Sequence, residues 1–289
     1  MVYADLHVHT TRSDGSLTLE DVPDAARRAG VSVVGLTDHD RTQPFGAPVV
    51  ERDGVTIVHG IELRVECPDG QRVDLLGYGV EPTTELEALL ESIQRNRIER
   101  GRRIVERVEQ RLGIDLDLTV ERGFGRPAVA RAIDAHQETD YDYQGAFDHL
   151  IGNDGPCYVR REVPTFDRGR RLLSAACSLV SLAHPLRYPD PERVLDRAGD
   201  LDAIEVAYPY DETVDGETVD GETVDDETVD DETVDDETVD DETVDCELVE
   251  RAVERFNLLK TGGSDAHDDR LGVAGLSEAE YRTLPLPTP

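Results

Sequence analysis

The sequence contains no tryptophan and one methionine, and aromatic residues account for 5% of its 289 positions. It has no run that approaches the roughly 18 apolar residues required for a membrane-spanning helix. Its first residues, MVYADLHV, lack the basic and apolar segments of a signal peptide. We therefore expect a cytoplasmic protein with no membrane partner.

Cysteine is also scarce. The four cysteines, Cys67, Cys157, Cys177 and Cys246, lie far apart and form no CxxC pair. This spacing predicts reduced thiols and no disulfide framework. The chain is nevertheless long enough to bury a sizeable hydrophobic core.

Basic residues are few and lysine is almost absent. There are 64 acidic and 30 basic residues, for a net charge of −34, and Lys260 is the single lysine. An acidic, lysine-poor surface is typical of a halophilic protein, because high salt screens its self-repulsion. The same charge argues against stable DNA binding, which needs a basic surface. A local basic pocket could still bind one phosphate.

Residues 211–245 consist of seven copies of [DG]ETVD and hold 19 of the acidic residues. The five-residue period matches neither a strand nor a helix. With one valine per copy and no aromatic residue, the segment cannot bury enough apolar area to offset ordering. It predicts a disordered acidic insertion; the alternative is an acidic loop that collects cations or binds a partner.

Elsewhere, short apolar runs alternate with helical patterns. VYADLHV, VSVVGLTDHD, VTIVHGIEL, QRVDLLGYGV, LVSLAHP, DAIEVAY and LLKTGGSDAH read as strands. Helices are predicted after Thr18 as N-cap up to Gly30, over about 84–111, and in FDRGRRLLSAACS and CELVERAVERF. The alternation predicts an α/β protein with a parallel sheet, open or closed into a barrel.

Histidines and carboxylates gather where the predicted strands end. His7 and His9 leave the first strand by the same face, because side chains alternate along a strand. The other members of this set are Asp14, Asp38, His39, Asp40, Glu62, His184, Asp265 and His267. Imidazoles and carboxylates together suit more than one divalent metal ion, and without metal they would leave unpaired charge. Buried polar groups satisfied by hydrogen bonds are the alternative.

The motifs DLHVHTTRSDGSLT, GLTDHD, GIE, LLGYG, GRP, LAHP and TGGSDAH occur in the order seen in the PHP (polymerase and histidinol phosphatase) superfamily. The chain resembles most its single-domain metal-dependent phosphoesterases, including nucleoside 3′,5′-bisphosphate phosphatases that also act on short RNA. The resemblance implies one domain over 1–289, a distorted (β/α)7 barrel with the insertion 211–245 within it. It also implies two or three metal ions at the strand ends.

When the motifs are matched by position, the resemblance implies which residues would bind each metal ion. His7, His9, Glu62 and Asp265 would hold one ion. Glu62 would bridge to a second ion, which His184 also binds. Asp14, His39 and His267 would hold the third. Arg126, in GRP, would bind the substrate phosphate, and a metal-bound hydroxide would attack phosphorus.

Two positions depart from the family pattern. Relatives usually have histidine at the position of Asp74, which could still bind metal through oxygen. A carboxylate there shifts the expected metal from zinc toward manganese, with iron and magnesium as further candidates. Relatives commonly have histidine where this chain has Ala128, which bears on the substrate.

The function predicted is hydrolysis of a phosphomonoester: a nucleotide, a nucleoside bisphosphate or a similar small phosphate, with short RNA ends as further substrates. Histidinol-phosphate phosphatase is an alternative within this class. A metal-dependent hydrolase of C–N bonds is another alternative, as is a non-catalytic metal-binding or regulatory domain. No GxSxG motif supports a serine nucleophile.

The remaining histidines and the arginine-rich helix have simpler explanations. His59 faces the side opposite to Glu62, and we expect it to pack in the core or against a helix. We expect His136 and His149 to be surface or capping groups. The arginines of IQRNRIERGRRIVERVEQR surround a helix with interleaved glutamates. Solvent-exposed ion pairs explain them, with a nucleic-acid stripe as the alternative.

Overall fold

The computed structural model describes residues 1–121, 124–210 and 246–289. The predicted insertion 211–245 lies outside these residues. The chain forms two compact units. Among the described residues, unit 1 comprises 1–87, 164–210 and 246–289, and unit 2 comprises 88–121 and 124–163. That 1–289 form a single domain stays a prediction.

Unit 1 contains one curved sheet. Its strands are β1 (Ala4–Val8), β2 (Val33–Leu36), β3 (Val49–Arg52), β4 (Val55–Glu66), β5 (Arg72–Tyr78), β6 (Leu179–Leu182), β7 (Ala203–Ala207) and β8 (Leu259–Gly262). Seven of them follow the order β1-β2-β4-β5-β6-β7-β8, and β3 pairs with β4 outside this path. A parallel bridge between Val8 and Ala266 joins the segment after β8 to β1. The predicted distorted (β/α)7 barrel is therefore confirmed.

The expectation of a parallel sheet is wrong at β5. This strand runs antiparallel to both β4 and β6, and β3 runs antiparallel to β4. The turn after β4 explains the difference, because the N–H of Gly70 donates to the carbonyl of Cys67 at 2.9 Å and Gly70 has φ 92°. So tight a turn returns the chain directly as a hairpin, whereas a parallel neighbour needs a long crossover.

The helices are α1 (Val22–Ala29), α2 (Thr84–Leu112), α3 (Arg126–Ala135), α4 (Tyr143–Ala146), α5 (Phe166–Ala176), α6 (Pro191–Ala198), α7 (Cys246–Phe256) and α8 (Glu278–Tyr281). The first helix ends at Gly30 as predicted, with φ 74°. It begins later than predicted, since Asp21 and not Thr18 is the N-cap. Pro23 explains this, because proline is tolerated in the first helical turn and not further inside.

Each unit has its own apolar core. In unit 1, Leu6, Val58 and Leu76 belong to one buried cluster, and α1 contributes Val22 and Ala26 to another. In unit 2, buried residues of α2 and α3 pack with the segment around Leu150. No helix among the described residues is both long and apolar enough to span a bilayer.

Candidate metal centre

β1 and the segment after β8 lie side by side and carry four of the predicted ligands. His7 is in β1 and His9 follows it, and both side chains are fully buried with ring centroids 5.2 Å apart. Gly263 permits the close approach, because a Cβ there would lie 2.3 Å from the backbone nitrogen of His7. Asp265 and His267 follow this glycine. Two predicted motifs therefore meet across one strand pair.

A first donor group consists of His9, Asp14, His39 and His267. Asp14 is its centre: its carboxylate oxygens lie 3.4 Å from His9 Nδ1, 3.3 Å from His39 Nε2 and 3.5 Å from His267 Nε2. Three imidazoles and one carboxylate around a point match the donor set of a transition-metal site.

A second donor group consists of His7, His9 and Asp265. Asp265 Oδ1 lies 3.3 Å from His7 Nε2 and 3.1 Å from His9 Nε2. These two imidazole atoms come from the same strand face, so the strand itself fixes their separation.

Glu62 connects the groups. Its Oε2 lies 3.4 Å from His7 Nε2, 3.3 Å from His9 Nε2 and 2.9 Å from His39 Nδ1. Its Oε1 lies 3.1 Å from Nε2 of His184, with which Glu62 and His7 form the third donor group. A carboxylate between two sets of imidazoles is arranged to bridge neighbouring cations.

Several of these donor atoms have no hydrogen bond among the described residues. They are His7 Nε2, His9 Nδ1 and Nε2, Glu62 Oε2, His184 Nδ1 and His267 Nε2. Buried polar atoms without partners are costly, and native proteins keep few of them. Because these atoms converge and include both nitrogen and oxygen donors, the residues fit divalent metal ions.

The charges of the centre point the same way. Burial alone would raise the pKa of Glu62, but the imidazoles of His39 and His7 hold it well below its usual range. Burial alone would likewise raise the pKa of Asp265, and His7 lowers it instead. Burial opposes the charged form of His7, yet Asp265 and Glu205 raise its pKa well above the ordinary value. The site therefore keeps its carboxylates ionised and ready for a cation.

Glu205 in β7 holds the imidazole of His7 and the backbone of His184, and sequence reasoning did not find it. Its side chain is fully buried, accepts from the backbone N–H of His184 at 2.8 Å and lies 3.1 Å from His7 Nδ1. Carboxylate partners of this kind fix the ring of a metal-binding histidine. An isolated glutamate within the apolar run AIEVA was the available signal.

Asp38, close to His39 in sequence, has a structural role. Its carboxylate accepts from the backbone and hydroxyl of Thr10, both at 2.8 Å, and from the hydroxyl of Ser13 at 2.6 Å. These bonds shape the loop that carries Asp14. Asp40 is buried with φ 49° and belongs to none of the three donor groups found among the described residues.

Asp74 differs from the other predicted ligands. Both of its oxygens accept from Arg64, at 2.9 Å from Nε and 2.7 Å from Nη2. It lies 3.9 Å from His184 Nε2 and is not in the donor groups of the described residues. Its role as a ligand stays a prediction.

Arg126 lies in unit 2, at the first residue of α3. Its side chain is buried and donates to the carbonyl of Ile151 at 3.2 Å and to Asn153 Oδ1 at 2.9 Å. Its guanidinium also lies 5.8 Å from the ring centroids of Phe147 and Tyr158. Its predicted role in binding phosphate stays a prediction.

Within unit 1, Arg187 borders the donor groups. Nη1 of Arg187 donates to Asp265 Oδ2 at 3.1 Å and to the hydroxyl of Tyr208 at 2.7 Å, and that hydroxyl donates to the same Asp265 oxygen at 3.0 Å. Arg187 is exposed. Its position three residues after His184, at another strand end, was a signal that the sequence offered.

The remaining histidines lie outside the donor groups of the described residues. His59 is buried and its Nε2 accepts from the backbone N–H of Gln43 at 2.8 Å. His136 is the C-cap residue of α3, and His149 is exposed beside Tyr141. All four cysteines are free thiols.

Comparison with known proteins gives consistent matches. The family described as PHP domain matches residues 5–204. The chain is 30% identical over 193 residues, 63% of this chain and 73% of the relative, to the phosphoribosyl 1,2-cyclic phosphate 1,2-diphosphodiesterase of Eggerthella lenta. It is 28% identical over 206 residues, 68% of this chain and 72% of the relative, to the 3′,5′-nucleoside bisphosphate phosphatase of Chromobacterium violaceum.

A solved structure from Bifidobacterium adolescentis, described as a metal-dependent phosphoesterase, shares the fold. Its TM-score is 0.68 at 20% identity, and the match covers 99% of this chain and 97% of that one. At this level of identity the likeness concerns the fold alone.

Proposed function

This chain belongs to the PHP domain family, and from that premise we propose that it is a metal-dependent phosphoesterase that removes phosphate from a small phosphomonoester. The named relatives cleave phosphoric esters. The observation that carries the proposal is the meeting of three donor groups, six of whose buried nitrogen and oxygen atoms have no hydrogen bond among the described residues. Divalent ions held there supply Lewis-acid chemistry, since they activate water and neutralise phosphate charge.

We assign the ligands by donor group. His7, His9, Glu62 and Asp265 would hold one ion, Glu62 and His184 a second, and Asp14, His39 and His267 a third. Imidazole and carboxylate donors together suit manganese, iron and zinc, and we propose manganese as the first candidate, with iron and magnesium as further candidates.

Protein groups beside the centre would bind the substrate. Among the described residues, both hydrogen bonds of Arg187 run through Nη1, and Nε and Nη2 would bind a pair of phosphate oxygens. Tyr208 lies next to it and presents a partly exposed ring 5.6 Å from His184. A phosphate ester whose leaving group carries an aromatic base, such as a nucleotide or nucleoside bisphosphate, matches an arginine next to an aromatic face. Short RNA ends carry the same groups.

The setting we propose is a cytoplasm of high salt. The free thiols and the net charge of −34 support it. The acidic repeat 211–245 would then be an insertion within one PHP-type domain.

Glu62→Gln tests the function. We expect a loss of phosphate release of at least about 100-fold, because even residues behind the ligands cost 10–100-fold in metal enzymes. The measurement is phosphate release from nucleotides, bisphosphates and sugar phosphates with Mn²⁺ in high KCl, together with bound metal.

His149→Gln is the matched control, because this exposed histidine lies outside the donor groups. Full activity of Glu62→Gln in protein stripped of metal and reloaded with Mn²⁺ would refute the proposal. Tight metal binding with no release from any substrate would favour the non-catalytic alternative.

A further inference from the structure

We infer that the Arg64–Asp74 pair withholds Asp74 from the metal centre and makes the His184 side its weakest cation position. The inference rests on the metal centre of the proposed function. It concerns how many ions the protein retains, which can be measured without any substrate.

Arg64 and Asp74 are held against each other by the sheet. They are direct partners in the register of β4 and β5, and the guanidinium binds both carboxylate oxygens, at 2.9 and 2.7 Å. Asp74 is fully buried, and its backbone N–H donates to the hydroxyl of Tyr188 at 2.8 Å. A buried bidentate pair with a fixed backbone has little freedom to turn toward a cation.

The oxygen of Asp74 that is nearer to the centre is already engaged. Oδ2 lies 3.9 Å from His184 Nε2 but accepts from Arg64 Nη2. An ion on the His184 side would meet a carboxylate whose charge the guanidinium neutralises. The guanidinium itself, which stays protonated at any working pH, would repel that ion.

His7 cannot replace Asp74 as a ligand for an ion on the His184 side. Its Nδ1 is engaged with Glu205 at 3.1 Å, so Nε2 is the one atom it can offer. That atom lies 3.3 Å from Asp265 Oδ1 and 3.4 Å from Glu62 Oε2. One imidazole nitrogen binds one ion, and binding beside Asp265 leaves only Glu62 and His184 for the neighbouring position. Metal sites in proteins usually have three or four protein ligands.

The donor group around Asp14 contrasts with this arrangement. With His9 assigned to the ion beside Asp265, it keeps the imidazoles of His39 and His267 and the carboxylate of Asp14, and that carboxylate accepts no bond from an arginine among the described residues. We therefore expect the Asp14 position and the His7–His9–Asp265 position to retain their ions, and the His184 position to exchange its ion.

The experiment counts Mn²⁺ on the full-length protein. The protein is loaded in high KCl, passed over a desalting column and analysed for manganese by mass spectrometry. We expect about two retained ions per chain, with a third that binds at least about tenfold more weakly in a titration. Three ions retained with similar affinity would overturn the inference.

Arg64→Met releases Asp74 and should raise the retained count to about three. An unchanged count in folded protein would contradict the inference. Arg72→Met is the matched control: it breaks the pair with Glu66, which occupies the equivalent register position two residues further along the same hairpin, and should leave the count unchanged.

The double variant Arg64→Leu/Asp74→Leu keeps the test decisive if Arg64→Met does not fold. Buried ion pairs can often be replaced by apolar side chains without loss of stability, and circular dichroism confirms folding. We expect the double variant to retain as many Mn²⁺ ions as the wild-type protein. The loss of one retained ion would show that Asp74 is a ligand. A wild-type protein that retains no Mn²⁺ would instead refute the metal centre itself.

Discussion

His59 lies three residues before Glu62 on β4, and its surroundings favour the neutral imidazole. Burial lowers its pKa to about 4, and the positive charge of Arg12 adds to this effect. Its Nε2 accepts from the backbone N–H of Gln43, and the ring centroids of Phe45 and His59 lie 5.7 Å apart with the rings nearly perpendicular. A histidine held neutral makes the fold sensitive to acid, because the unfolded chain takes up a proton that the folded chain excludes.

We predict that His59→Gln reduces this sensitivity. The folded pKa is about 4 and the unfolded value about 6.5, so stability from this group is complete above pH 6.5 and is lost as the pH falls toward 4. Between pH 7 and 5 the loss should be about 2 kcal/mol. Urea denaturation of both proteins at each pH measures it. Parallel curves for the two proteins would show that His59 does not carry the effect.

At the scale of single residues, the sequence predicts the metal-binding side chains better than the residues that are bonded to them. The positions of His7, Asp14 and His267 relative to one another follow from strand parity and from the rule that parallel strands end at one rim. The partners of Glu205 and Arg64 were not predictable, because they depend on which strands become neighbours. Asp74 is an example: its role as a ligand stays a prediction, and the sequence did not indicate its bond to Arg64 on the neighbouring strand.

At the scale of elements, the contact between β1 and the segment after β8 positions half of the centre. A Cβ on Gly263 would lie 2.3 Å from the backbone nitrogen and 2.4 Å from the Cβ of His7. Backbone atoms cannot move aside as a flexible side chain can, so any side chain at 263 must separate the two segments.

Gly263→Ala should therefore destabilise the protein by about 3 kcal/mol, as overpacking does, and should lower its retained Mn²⁺. Thermal denaturation and metal analysis measure the two effects. Gly46→Ala is the control, because a Cβ there meets nothing within 4 Å. Unchanged melting temperature and metal content in Gly263→Ala would disprove the packing argument.

The order of elements was largely predictable from the alternation of apolar runs and helical patterns. The alternation did not give the direction of β5, because a hairpin and a crossover begin with the same apolar strand pattern. The length of the connection distinguishes them, and the four-residue turn CPDG before QRVDLLGYGV was too short for a crossover.

At the scale of the whole molecule, the net charge of −34 should make the fold depend on salt. Like charges repel over about 10 Å in 0.1 M salt and over about 3 Å in 1 M salt. We predict that the melting temperature rises by several degrees as KCl increases over this range. Sorbitol of equal osmotic strength is the control, since it does not screen charge. No rise in KCl would exclude screening as the cause, whereas a rise in sorbitol reports the exclusion of that osmolyte from the protein surface.

The division into two compact units was not predictable from the motifs. The resemblance spans the chain as a single domain, and the apolar cluster around Ile104 and Ile133 gives unit 2 a core of its own. Sequence periodicity identifies apolar faces, but which faces pack together depends on the tertiary arrangement.

Two residues of the centre, His184 and Asp265, have φ of 25° and 52°. A backbone angle of this sign costs a side-chain-bearing residue about 1–3 kcal/mol. Glycine would relieve that cost at either position but would abolish the donor atom. The fold therefore tolerates backbone strain at two positions in order to place their donor atoms in the centre. The free energy of binding an ion there would offset that strain.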